Sequence, residues 1–255
     1  MIDSSLSETE VRTGQDWGFK FRQFVDFVRD GKLFTEYYHA KPIPLDEAHK
    51  LAEKRRLGKL DSKSAELLDE YFRAQHYLRE KQELDKQKVT PKVLYIASGF
   101  DGLPGSVFGQ ENTIMTSLDP DYFNKYITQL KGTQKAEKVV ASFYENPFAS
   151  GAINTLVVNG FEVFDGQAMA AYNPSLNQGM ASEQVLRKFW TEMRRLATPG
   201  AALITTEFQK EGQFASSPAI PPEAKKILEE TGWKIKEQSY MEESYCKLIA
   251  TDPKT

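Results

Sequence analysis

The chain has 255 residues, 40% hydrophobic and 27% charged, with 33 Lys and Arg against 36 Asp and Glu for a net charge of −3. That length suits one full α/β domain with an appendage, or two small domains, and it buries a core large enough to need no covalent staple. A single cysteine, Cys246, excludes a disulfide framework and a cysteine-rich zinc site, and the near-balance of charge argues against the basic surface of a nucleic-acid domain.

Residues 1–90 hold 17 basic and 17 acidic side chains and almost no β-branched runs, which predicts a helical segment. Trp17, Phe21, Phe24, Val25 and Val28 recur at helical spacing and form one apolar stripe. A second helix starts at Leu45 after Pro42 and Pro44, and a third runs over about 62–86. On its inner side lie Leu67, Leu68, Tyr71, Phe72, Tyr77 and Leu78, with a charged tail predicted to face solvent. The boundary falls at 86–91, where charge gives way to Pro91 and then to apolar residues. This divides the chain into a helical cap, 1–90, and a sheet domain, 91–255.

The second part alternates strands with helices. Strands are predicted at 93–97, 113–118, 138–143, 153–158 and 201–206, the first being apolar throughout, as a strand buried on both faces requires. A helix over 182–197 places Val185, Leu186, Phe189, Trp190, Met193 and Leu196 on its inner face and stops at Pro199-Gly200. After Pro221-Pro222 comes a helix over 222–231, then strands at about 233–239 and 244–251. These two are too close for a parallel crossover, so they pair antiparallel. The expected fold is α/β: a doubly wound, mostly parallel seven-stranded sheet closing in an antiparallel hairpin, with an N-terminal helical extension.

The run 189–204 (FWTEMRRLATPGAALI) carries a helix through a Pro-Gly turn into a strand, and 227–233 (ILEETGW) carries a last helix into another. With the order of elements and the closing hairpin, these stretches resemble the class I S-adenosylmethionine-dependent methyltransferase family over residues 88–252. The resemblance implies that the turn after the first strand, Ala97, Ser98, Gly99 and Asp101, approaches the methionine part of the cofactor. Only the central glycine of the family pattern, Gly99, is kept, and Gly102 and Gly105 offer flexibility in a displaced register. Asp119, followed by Pro120, closes the second strand, where an acidic side chain accepts hydrogen bonds from ribose hydroxyls. The alternative is an aspartate that opens an Asp-Pro turn. Ser142 and Phe143 stand where the family contacts adenine, although Phe143 also suits the core. Asn159 and the backbone of Gly160 follow strand four over the expected methyl-transfer centre, with Glu162 as a base, a substrate ligand or a surface carboxylate. The two prolines that members acting on nucleobase or glutamine amides carry at this point are missing, which disfavours that subclass.

The long connections 165–180 and 208–222 leave the sheet on the ligand side and are read as substrate-covering. The N-terminal helices, with Phe34, Tyr37, Tyr38 and His39, are expected to close the same opening. No catalytic residue stands out, and His39, His49 and His76 lack a metal-ligand spacing. The resemblance therefore implies methyl transfer from S-adenosylmethionine to a small-molecule acceptor, with S-adenosylhomocysteine as product. A rival reading is a non-catalytic domain serving as partner or scaffold in a protein complex. It draws on the altered glycine turn and on Asn154, which stands where many members have Asp. Aminopropyl transfer on the same fold lacks its paired acidic residues. No apolar run reaches the about 18 residues of a membrane span, and one thiol with a polar start predicts a cytoplasmic location.

Overall fold

In the computed structural model, residues 45–96, 102–117, 133–159, 163–172, 177–207, 220–239 and 244–251 are described. The stripe at Trp17, the aromatic cluster at 34–39 and the connection at 208–219 lie outside them.

Two helices come first, α1 (Leu45–Arg56) and α2 (Ser62–Gln87). Asp61 caps α2 by accepting the Ser64 N–H at 2.9 Å, and Lys88, at φ 58, ends it in a left-handed turn. Strand β1 (Val93–Ile96) then leads into a short helix, α3 (Leu103–Phe108), and β2 (Thr113–Ser117). Next come β3 (Glu137–Val140), β4 (Ile153–Asn159), α4 (Gly166–Tyr172) and α5 (Ser182–Leu196). The chain closes with β5 (Ala197–Glu207), α6 (Pro222–Glu230), β6 (Trp233–Ser239) and β7 (Ser244–Ala250).

The seven strands form one sheet in the order β3-β2-β1-β4-β5-β7-β6. Pairing is parallel from β3 through β5 and antiparallel where β7 joins β5 and β6. The closing hairpin therefore stands where its short connection required. The apolar β1 is buried along its whole length, as its central position demands.

Side chains alternate between the faces of each strand, and the two faces are built differently. Leu94, Ile96, Leu156, Val158, Leu203 and Leu248 join Val185, Phe189, Trp190, Met193 and Leu196 of α5 in one apolar core. Within it Trp190 stacks on Phe164 at 5.6 Å and meets Trp233 edge-on at 6.1 Å. All six inner residues predicted for this helix are buried. The opposite face carries Tyr95, Met115, Val157 and Ile204, but also Thr155, Asn159 and Lys247, all buried. Helix α2 packs there: Tyr77 reaches Asn159, and Glu80 pairs with Lys247.

Several local expectations are corrected. The tail of α2 is not a solvated face throughout, since Glu80 is buried in its ion pair, while Leu78, expected inside, is 40% exposed. Pro199-Gly200 does not end α5; the helix stops at Leu196, and the pair sits in a bulge of β5. There the register jumps from Ile153–Ala197 to Thr155–Ala202, and Gly200 takes the positive φ of 81° that the bulge needs. The third strand is shorter than read, ending at Val140, so Ser142 and Phe143 belong to the turn beyond it. The connection after Asp165 is partly helical. In α4, Met169 is fully buried in the core, and a Cβ on Gly166 would stand 2.2 Å from the Ser182 carbonyl oxygen. Only glycine allows α4 and α5 to approach this closely.

Candidate functional site at the carboxyl edge of the sheet

In an open, parallel α/β sheet, neighbouring strands whose connections leave in opposite directions open a crevice at their carboxyl ends. Here the chain moves from β1 outward to β2 and β3, then returns to β4 and β5 on the other side. The switch point lies between β1 and β4, where Ile96 pairs with Val158 and Asn159 extends one residue further. The strand order and the antiparallel closing hairpin are those that the resemblance to the class I methyltransferases implied.

Several polar residues are placed at this edge. Strand β2 ends at Ser117, which is half-buried. Beyond β3, the Ser142 hydroxyl oxygen accepts the Tyr144 N–H at 3.1 Å, forming a tight turn. Strand β4 ends at Asn159, buried with 6% exposure, and its Nδ2 donates to the Tyr77 hydroxyl of α2. A buried amide at the end of an otherwise apolar strand is costly unless hydrogen-bonded. Two strand ends and a turn furnished with hydroxyl and amide groups suit a ligand with sugar hydroxyls and a polar base. That donor set fits the nucleoside part of S-adenosylmethionine.

Phe143 lies 6% exposed in the apolar core, edge-on to Tyr144 at 4.6 Å and to Phe189 at 6.0 Å. Of its two sequence readings, the structure displays the packing one. Tyr144 is buried beside it, with the Lys188 ammonium 5.0 Å from its ring centre. Burial pushes the Tyr144 phenol above its ordinary value. Ala97, Ser98, Gly99, Asp101, Asp119, Pro120, Gly160 and Glu162 lie outside the described residues. Gly102 and Gly105, offered as flexible points, are instead the N-cap and an interior residue of α3.

Asn154 is far from this edge. It lies near the start of β4, where its Oδ1 accepts the Lys92 N–H at 2.8 Å and its Nδ2 donates to the Thr90 carbonyl at 2.9 Å. An amide, with a donor and an acceptor, makes both bonds; a carboxylate would make only the first. Asn154 is thus a staple between β4 and the entry to β1, and its identity says nothing about lost catalysis.

A second buried polar cluster also lies outside the crevice. Glu192 on α5 receives two Arg195 nitrogens at 2.6 and 2.7 Å and the Asn146 N–H at 2.8 Å. Arg195 donates further to the carbonyls of Asn146 and Phe148. Burial raises the Glu192 carboxyl, but these donors outweigh it and hold the group below the ordinary carboxylate range. The cluster ties the segment after β3 to α5. Near it, Tyr144, Gln184, Arg187, Lys188 and Thr191 line a shallow surface hollow of about 410 Å³.

Sequence reasoning did not single out Tyr77 or Lys247. Tyr77 reads as one more aromatic on an apolar stripe, and Lys247 as an exposed strand lysine. Only the placement of α2 across the sheet gives them partners. Among the described residues, no group of three or more His, Cys, Asp or Glu is placed to hold a metal ion. No described helix is long and apolar enough to cross a membrane.

No family model matches the chain, and no curated protein matches it. Among solved structures, a SAM-dependent methyltransferase from Aquifex aeolicus is similar at 17% identity, covering 75% of this chain and 98% of its own, with TM-score 0.43. The sugar N-methyltransferase KedS8 from a Streptoalloteichus species is similar at 10% identity, covering 70% and 87%, with TM-score 0.49. A TehB-like SAM-dependent methyltransferase from Corynebacterium glutamicum is similar at 12% identity, covering 71% and 98%, with TM-score 0.43. Identity and overlap at this level assign no activity.

Proposed function

We propose that the protein transfers a methyl group from S-adenosylmethionine to a small-molecule acceptor. The observation that carries this reading is the switch point between β1 and β4, where the buried amide of Asn159 ends β4, with Ser117 at the end of β2 and Ser142 in the turn beyond β3. When bound, S-adenosylmethionine supplies a methyl carbon already activated on a sulfonium sulfur. The protein's own task is then to hold nucleophile, methyl carbon and sulfur in line, which lowers the barrier without a dedicated base. In this reading the backbone at Ala97, Ser98, Gly99 and Asp101 holds the methionine end, and the carboxylate of Asp119, beside Pro120, accepts from the ribose hydroxyls. Ser142 bounds the adenine side, with Phe143 packed in the core beneath it, while Asn159 and Gly160 line the floor below the methyl. The near-balanced charge of the chain, 33 against 36, favours a small acceptor over nucleic acid.

The rival, a methyltransferase-like partner domain without catalysis, loses one of its two supports once Asn154 has a structural role. Ligand-induced stabilisation separates the readings. At 100 times its dissociation constant, S-adenosylmethionine stabilises the folded state by about 2.7 kcal/mol, a rise of several degrees in Tm. An unmoved Tm at millimolar S-adenosylmethionine and S-adenosylhomocysteine would sink the enzyme reading and leave the partner reading.

A further inference from the structure

Tyr77 is wholly buried on α2, 0% exposed, with its ring 5.9 Å from that of Phe108 in α3. Its hydroxyl receives the Asn159 Nδ2–H at the carboxyl end of β4. The contact spans 82 residues of sequence and joins a helix that precedes the sheet to the residue at its switch point. Three residues on, one helical turn along α2, Glu80 makes the second polar contact with the sheet, to Lys247 of β7. Helix α2 is thereby held at two points on one face, and its rotation and height over the sheet are set.

We infer that Tyr77 is a positioning residue for ligand binding: through its hydroxyl it holds the Asn159 side chain in one rotamer at the floor of the crevice. The inference rests on the methyltransferase reading, because it is that reading which places the cofactor over Asn159. Its physical basis is reciprocity. A buried tyrosine hydroxyl and a buried amide each need hydrogen-bond partners, and this contact supplies one to each, so either side chain that turns away forfeits it. An asparagine free to sample several rotamers would have to be ordered by the ligand, weakening binding by the entropy lost. Helix α2 therefore belongs to the ligand site even though Tyr77 itself never meets the ligand.

The test is calorimetric titration of S-adenosylhomocysteine into the full-length protein and its Tyr77→Phe, Asn159→Ala and double variants, well below their melting temperatures. Tyr77→Phe keeps the ring against Phe108 and removes only the hydroxyl. We expect the dissociation constant to rise about 5- to 20-fold in Tyr77→Phe, and the double variant to bind no more weakly than Asn159→Ala alone, since the hydroxyl acts only through the amide. Trp233→Phe, which perturbs the opposite face, controls for lost stability and should bind as the unaltered protein does. If Tyr77→Phe binds normally while Asn159→Ala is weakened, the positioning role is wrong and the cofactor reading stands. If the two losses add in the double variant, Tyr77 acts by another route and the inference is likewise overturned. If the unaltered protein binds no S-adenosylhomocysteine, both fall together.

Discussion

The two faces of the sheet are covered by helices of opposite character. Helix α5 buries Val185, Leu186, Phe189, Trp190, Met193 and Leu196 against an apolar face, and its buried Glu192 is paired with Arg195 of the same helix. Helix α2 covers the other face, and what it buries includes the Tyr77 hydroxyl, His76 and Glu80. The first face is a packing surface that tolerates any well-fitting apolar set. The second is specified by pairings, Tyr77 with Asn159 and Glu80 with Lys247, each of which fails if one member is lost. The face that carries pairings is also the one that reaches the switch point. Stability is concentrated on one side of the sheet and positional specification on the other.

The largest effect expected from this contrast is on the packing side. Trp190→Ala removes a ring that touches Phe164, Phe189 and Trp233, and should cost about 3–5 kcal/mol in urea unfolding. A cost below about 1 kcal/mol would show that this face is not the main core. On the paired side, Glu80→Ala leaves the buried Lys247 with, among the described residues, the exposed Glu83 carboxylate 3.8 Å away as its remaining counter-charge. It should cost about 3 kcal/mol, and adding Lys247→Met should recover most of it. If the two losses add instead, the pair is not a unit and the contrast between the faces weakens.

A smaller effect concerns Glu192. Its carboxyl is depressed in the folded state, so it contributes stability that is fully present above the ordinary carboxylate value near 4.3. That stability is lost as pH falls through the lower folded value. The stability gap between the protein and Glu192→Gln should therefore hold steady from neutral pH to about pH 5 and narrow below about pH 4. A gap that widens on acidification would mean that burial, not the Arg195 contact, governs this carboxyl. The smallest effect belongs to Asn154. Asn154→Ala forfeits two hydrogen bonds at the amino edge, should cost about 1 kcal/mol, and should leave ligand affinity untouched. Asn154→Asp should behave similarly, since the carboxylate keeps one bond only.

The same contrast explains what could be read from the sequence. The buried face of helix α5 was legible because a pure 3.6 period with one apolar face admits a single orientation, although its end at Leu196 was not read from Pro199-Gly200. The short apolar β1 and the closing hairpin were legible from spacing and flanking turns. Helix α2 was legible as a helix but not in its burial, because Glu80 inside a charged run looks like any solvated carboxylate until Lys247 arrives from 167 positions away. The bulge at Pro199-Gly200 was hidden for a related reason: a Pro-Gly pair marks a turn or an irregular strand equally well, and pairing with Ile153 decides between them. At the site, residue type at each strand end pointed to a polar crevice. Phe143 was ambiguous because a strand-end aromatic serves core and ligand alike, and its contact with Phe189 displays the packing role.

The central claim is that the crevice between β1 and β4 holds S-adenosylmethionine, with Asp119 on its ribose. Equilibrium dialysis of labelled S-adenosylmethionine against the protein and its Asp119→Ala variant tests this directly. The account predicts one molecule bound per chain, with affinity at least about tenfold lower in the variant, the worth of roughly 1.4 kcal/mol of charge-assisted hydrogen bonding. No binding at millimolar ligand, or equal binding by the two proteins, would contradict it.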